Sequence, residues 1–322
     1  MTKQPLGYRS LIKAELQQVD ALLLGVPGNI PPVIVRALHA LIRSGGKRLR
    51  PALVILAAHL CQADLDRALP AAAAIEMLHT ATLVHDDLID NALVRRGIET
   101  LNVRWTPAMT VLAGDLAFAW AAELVARVEH TYLSRRFAET LVTICEGELH
   151  QMLRGQGRIP TREEYEQRIF AKTASLFMLT TEIGAALSGC DQDKIVEMAQ
   201  FGRALGMAFQ IADDVLDIMG TEAQLGKPVG SDLRQGLVTL PVLYYLEAHP
   251  GDHCLSALLA EPDDALISAL IADLRRSTAP ERAMQAAEAH IAAALAILAP
   301  YPPSPYRDAL EEIAAFAVRR RY

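Results

Sequence analysis

Residues 83–97 read LVHDDLIDNALVRRG and residues 208–220 read AFQIADDVLDIMG. The first run carries Asp86, Asp87 and Asp90, the second Asp213, Asp214 and Asp217, and apolar residues recur around them at three- and four-residue intervals. That period is helical. At 3.6 residues per turn the first and last aspartate of each triplet stand one turn apart and about 40° apart in azimuth, so they share a face. Carboxylates at this spacing repel by roughly 0.2–0.5 kcal/mol per pair, and more in apolar surroundings, so each face needs a compensating cation.

The same period continues outward from both runs in long Ala- and Leu-rich segments. Aromatic residues make up only 5% and alternating Val/Ile/Thr runs are scarce, so the chain is expected to be all-α. Breaks fall at Pro31-Pro32, Ser44-Gly45-Gly46, Gly155-Gln156-Gly157, Gly220 to Ser231, His249-Pro250-Gly251 and Pro300 to Pro303. Thr161 followed by Glu164 makes a capping box that opens a helix expected to run through Phe170, Lys172 and Ser175. None of the breaks has the composition of an interdomain linker, so a single domain over residues 1–322 is expected. The longest irregular stretch, GTEAQLGKPVGSD at 220–232, is glycine-rich, directly follows the second aspartate run and reads as a mobile lid.

Composition removes several function classes. With Lys+Arg 31 against Asp+Glu 38 and a net charge of −7, the chain has no basic footprint for a nucleic-acid backbone. Hydrophobic residues reach 52%, yet Glu, His or Asp interrupts each candidate for a membrane-spanning helix, and none is expected. The opening MTKQPLGYRSLIKAELQQ has neither an apolar core nor a small-residue cleavage site, which makes the cytoplasm the expected compartment. Cys61, Cys145, Cys190 and Cys254 lie far apart in apolar settings and read as buried thiols.

Oxygen-only ligands on two helices suit Mg²⁺, which keeps several waters and is commonly completed by phosphate oxygens. The paired triplets therefore predict a diphosphate held by magnesium between two helices. Candidate cations and donors lie beside them: Arg95 and Arg96, Lys172 with Thr173, Gln210, and Lys227 in the expected lid. GGKRLRP at 45–51 offers Lys47, Arg48 and Arg50 for a second, metal-free anion site. His79 stands seven residues before Asp86, about 10.5 Å back and about 20° off its azimuth, and should line the same cavity. Glu148 and Gln151 are candidates for its polar wall.

Taken together, GKRLRP, HTATLVHDD, DDLID with RRG, VLAGD, GELHQ, KTASLF, FQIADDVLD and GKPVGSDL resemble the motif series of the trans-isoprenyl diphosphate synthases, the polyprenyl synthetase family. The series runs in order from Gly45 to Pro241. The resemblance implies a class I isoprenoid synthase fold, an all-α bundle around a central cavity and usually a homodimer, performing head-to-tail condensation. It implies that Lys47, Arg50, His79 and Arg96 bind the diphosphate of isopentenyl diphosphate. It further implies that Asp86, Asp90 and Asp213, assisted by Asp87 and Asp217, hold Mg²⁺, three ions per active site, on the allylic diphosphate. Arg95, Lys172, Thr173, Gln210 and Lys227 would contact that diphosphate, and Asp214 would complete the catalytic set. Ionisation of the allylic diphosphate, attack by the alkene of isopentenyl diphosphate and loss of a proton then require that water be kept out.

Family members limit elongation with a bulky residue four or five positions before the first aspartate. Those positions hold Thr82 and Ala81 here, and Leu78 and Ile75 continue the line without a ring. A long-chain product is therefore expected, with Trp120 the candidate floor. One position departs from the family pattern: Leu237 stands where a lysine is common, removing a cation that Lys227 or Arg234 is expected to replace in part. The alternatives are a short-chain synthase, a class I terpene cyclase and a non-catalytic regulatory subunit. A cyclase needs no isopentenyl diphosphate site, and regulatory subunits carry degraded aspartate motifs, whereas both motifs are intact here.

Overall fold

The apolar period becomes helix almost everywhere. The computed structural model describes residues 7–26, 28–95, 97–153, 158–222, 228–251 and 263–319. The helices are α1 (Tyr8–Leu11), α2 (Lys13–Leu24), α3 (Pro32–Ser44), α4 (Leu49–Leu60), α5 (Leu65–Ile89), α6 (Leu101–Arg104), α7 (Pro107–Arg127), α8 (Thr131–Leu153), α9 (Arg162–Ile169), α10 (Ser175–Ala186), α11 (Gln192–Met219), α12 (Ser231–Arg234), α13 (Leu240–Ala248), α14 (Asp264–Arg276), α15 (Ala279–Leu298) and α16 (Pro305–Arg319). Among the described residues the exception is a small antiparallel hairpin, β1 (Val94–Arg95) with β2 (Ile98–Glu99), turned at Gly97 with φ +80°. The residues pack as two compact units. The first comprises Met1–Ala138, Leu179–Ala199 and Pro302–Leu310, the second Glu139–Met178, Gln200–Tyr301 and Glu311–Tyr322.

In the first unit α5 is the central element and packs on α7, α4 and α2. It starts at Asp64, whose side chain accepts the Asp66 N–H at 3.0 Å, and Ala71 to Ala74 are fully enclosed. The glycine of VLAGD has a physical reason here. A Cβ on Gly114 would overlap the His85 ring, so glycine lets α5 and α7 approach closely, with His85 Nε2 3.2 Å from the Val111 carbonyl oxygen. In the second unit α13 packs on α15 and α14, and Phe177 meets Phe209 at a centroid distance of 5.1 Å.

Three expectations need correction. Helix α7 is, by length and composition, apolar enough to cross a membrane, despite Asp115 and Glu123. It packs on α5, which explains its apolar composition. The cysteines are not uniformly buried: Cys145 is exposed, Cys61 and Cys190 are half-buried, and Cys254 lies outside the described residues. Burial nevertheless pushes the Cys61 thiol up to about 12. Finally, the helix opened at Thr161 does not run regularly through Lys172. After α9 the chain makes a π-helical turn over Phe170–Ala174 before α10 begins. The capping box itself is present, with the Thr161 N–H donating to Glu164 Oε2 at 2.8 Å and the Glu164 N–H to Thr161 Oγ1 at 3.2 Å.

Candidate active site

In the first unit, the last three turns of α5 carry His79, Thr82 and Asp86 on a half-buried face, and Asp90 caps the helix at an exposed position. Asp87 points the other way. It is 3% exposed and ion-paired to Arg95 Nε at 2.5 Å, so β1 is tied to the aspartate helix. That pair borders a cavity of about 350 Å³ reaching Arg36, Leu41 and Trp105. Arg96 lies outside the described residues.

The GGKRLRP segment forms the turn between α3 and α4. Lys47 is exposed and its carbonyl accepts the Tyr8 hydroxyl at 2.8 Å, while Arg50 sits half-buried in the first turn of α4. Arg48, expected beside them as an anion ligand, turns inward to bond Asp20 and Glu76 instead. Of the expected chain-length residues, Ala81, Leu78 and Ile75 are fully enclosed, Trp120 is 2% exposed, and Thr82 lies one turn from Asp86 on its open face. The buried Trp120 Nε1 finds no hydrogen-bond partner among the described residues.

In the second unit, a chain of hydrogen bonds organises the other motif. Thr173 donates to Gln210 Oε1 at 2.7 Å, Gln210 Nε2 donates to Asp214 Oδ1 at 2.8 Å, and the Tyr165 hydroxyl donates to Asp214 Oδ2 at 2.7 Å. Its first link starts from the π turn that carries Thr173, and π turns are frequent at functional sites. The neighbouring Lys172 is partly exposed and pairs with Glu148 Oε1 at 2.7 Å. Asp214 is buried, and desolvation first, then the Asp232 charge, pushes its carboxyl up to about 8 against the two donated hydrogen bonds. Tyr165 is raised well above its ordinary value, by burial first and by Asp214 second.

Asp213 is half-buried on α11, one turn before the buried Asp217. The Asp217 carboxylate accepts the Asp232 N–H at 3.1 Å and its carbonyl accepts the Gly230 N–H at 2.9 Å. Past this motif, Arg275 of α14 donates to the Ile218 and Gly220 carbonyls at 2.8 and 2.7 Å, capping α11 with a cation as the helix dipole favours. Lys227, and with it most of the expected lid, lies outside the described residues. Leu237 lines a cavity of about 220 Å³ with His150, Gln151, Arg158 and Arg168. Arg234, expected to stand in for the missing lysine, is instead ion-paired to Asp264.

Sequence reading missed Tyr165, Arg275 and Glu76. Tyr165 and Glu76 have the look of ordinary helix positions, and Arg275 is far from both motifs in sequence, so no local signal marks them. Among the described residues, no three acidic, histidine or cysteine side chains converge on one point.

The polyprenyl synthetase family model matches residues 31–274. The chain is 38% identical to heptaprenyl diphosphate synthase component 2 of Geobacillus stearothermophilus, covering 97% of this chain and 98% of that protein. It is 36% identical to a short chain isoprenyl diphosphate synthase of Methanothermobacter thermautotrophicus, covering 91% and 92%. Among solved structures, polyprenyl synthase from Caulobacter crescentus CB15, complexed with calcium and isoprenyl diphosphate, is similar with a TM-score of 0.91 and 35% identity, covering 99% of this chain and 100% of that one.

Proposed function

The chain belongs to the polyprenyl synthetase family and is a prenyltransferase, and we propose that it condenses isopentenyl diphosphate head to tail with an allylic diphosphate, giving a long-chain all-trans polyprenyl diphosphate and pyrophosphate. One arrangement carries the reading: the Thr173–Gln210–Asp214–Tyr165 hydrogen-bond chain, which fixes the Lys172 turn against the second aspartate motif. A single polyprenyl synthetase domain, a homodimer and a cytoplasmic location are part of the proposal.

When bound, Mg²⁺ would neutralise the allylic diphosphate and make pyrophosphate a better leaving group. Asp86, Asp90 and Asp213 are the carboxylates to hold it, with Asp217 assisting and Asp87 acting from behind through its ion pair with Arg95. Lys172 binds the allylic diphosphate as a point charge, together with Arg95 and Lys227. Thr173 and Gln210 orient the diphosphate oxygens, and Asp214 acts behind them by holding the Gln210 amide. Lys47, Arg50, His79 and Arg96 bind the diphosphate of isopentenyl diphosphate, leaving its alkene free to attack. The allylic C–O bond breaks, the new C–C bond forms, and the proton lost from the isopentenyl unit leaves on pyrophosphate. The small Ala81 and Thr82 support an elongation path that continues past a short product.

The test is incubation of the purified protein with Mg²⁺, isopentenyl diphosphate and farnesyl or geranylgeranyl diphosphate, followed by dephosphorylation and sizing of the products. A ladder ending in one long polyprenol supports the reading, whereas a stop at 15 or 20 carbons assigns a short-chain synthase. A second reading, favoured by end-to-end similarity to a protein named component 2, is that the chain works with a partner subunit. Product from the chain alone excludes that requirement.

A further inference from the structure

We propose that Arg48 is a positioning residue for the isopentenyl diphosphate site and that the buried Glu76 is its anchor. This rests on the function proposed above, and goes beyond it by assigning a role to two charged side chains that the reaction does not consume.

GGKRLRP holds three cations in four positions, and the backbone separates them. Arg48 adopts a left-handed conformation, φ 52° and ψ 40°, which strains a residue that carries a Cβ. Three bonds offset that strain. Arg48 Nε donates to Asp20 Oδ1 of α2 at 2.9 Å, Nη1 to Glu76 Oε1 of α5 at 3.1 Å, and Nη2 to the Ile42 carbonyl in the last turn of α3 at 2.7 Å. A planar guanidinium can serve three helices at once, and an ammonium cannot reproduce the fork. The first glycine of the motif supplies the space: a Cβ on Gly45 would overlap Arg48 Nη1 and stand 2.7 Å from the Ile42 oxygen.

The consequence is registration. The Arg48 carbonyl accepts the Ala52 N–H at 3.0 Å, so Arg48 starts α4 and sets where Arg50, two residues on, points. Glu76 is three residues before His79 on α5, its side chain only 7% exposed, and a carboxylate so enclosed requires its cation. One ion pair therefore ties the turn presenting Lys47 and Arg50 to the helix presenting His79, so three of the groups assigned to isopentenyl diphosphate keep a common register. The Tyr8 hydroxyl also donates to the Lys47 carbonyl in this turn.

The experiment is steady-state kinetics of Arg48→Lys, Glu76→Gln and Gly45→Ala beside wild type, each first checked for native circular dichroism and thermal unfolding. The expected result is a KM for isopentenyl diphosphate raised about tenfold or more, since misplacement of this order is costly, with KM for the allylic substrate and kcat changed less than about threefold. The double variant Arg48→Lys/Glu76→Gln should be no worse than the weaker single variant. A purely structural role would lower the unfolding temperature and leave KM where it was, and that result overturns the proposal. Should Glu76→Gln fail to fold, Arg48→Lys, which retains the charge opposite Glu76, decides the question by the same KM. Wild type that does not consume isopentenyl diphosphate would instead overturn the proposed function.

Discussion

Replacing Asp214 with asparagine should flatten the pH dependence of stability in the metal-free protein. Asp214 is buried, and desolvation with the Asp232 charge raises its carboxyl from an ordinary 3.8 to about 8. A raised folded-state pKa means that the folded protein keeps a proton the unfolded chain has released. The stabilisation is therefore complete below 3.8 and is lost as pH rises towards about 8. At about 1.4 kcal/mol per pKa unit, the loss between roughly pH 5 and 8 should be about 2–4 kcal/mol, or about 3–6 °C in unfolding temperature for a chain of this length. Asparagine retains most of the volume, can still accept from Tyr165, and does not titrate. The assay is thermal unfolding followed by circular dichroism across this range with chelator present, for wild type and Asp214→Asn. Wild type should lose stability as pH rises while the variant stays level. An equally steep slope in both would refute the reasoning, because the titrating group would then be elsewhere. Saturating Mg²⁺ and diphosphate should weaken the wild-type slope, since a nearby divalent cation favours the ionised carboxylate.

Leu237→Lys would place a cation in the cavity lined by Gln151 and Arg168, and should lower KM for the allylic diphosphate by about three- to tenfold or raise turnover; unchanged kinetics would show that the absent cation does not matter. Ala81→Phe and Thr82→Phe should both shorten the product, read by sizing the dephosphorylated polyprenols. The fully enclosed Ala81 should also lose about 1–3 kcal/mol of stability by overpacking, and Thr82, on the open face, less. Chelation should abolish condensation and added Mg²⁺ restore it, while Asp213→Asn should lower kcat by about 10²–10³ with little change in KM for isopentenyl diphosphate; retention of wild-type kcat would remove Asp213 from the metal-binding set.

Local chemistry was legible without coordinates. Helical periodicity, the capping box at Thr161 and the two aspartate triplets depend on spacing along the chain, which sequence contains. The one-turn separation of Asp86 from Asp90, and of Asp213 from Asp217, follows from helix geometry alone. What required the tertiary structure was the direction and engagement of each side chain. Sequence could not show that Arg48, between two expected anion ligands, points into the protein, because its left-handed backbone is selected by Asp20, Glu76 and the space above Gly45. Nor could it show that Arg234 is taken up by Asp264, or that Thr173, on a π turn, bonds Gln210. Asp213 and Asp214 are neighbours in sequence, but successive helix residues differ by about 100° in azimuth. One is therefore left partly open while the other is buried against Tyr165, and that environment, which no local pattern records, sets the charge state of Asp214.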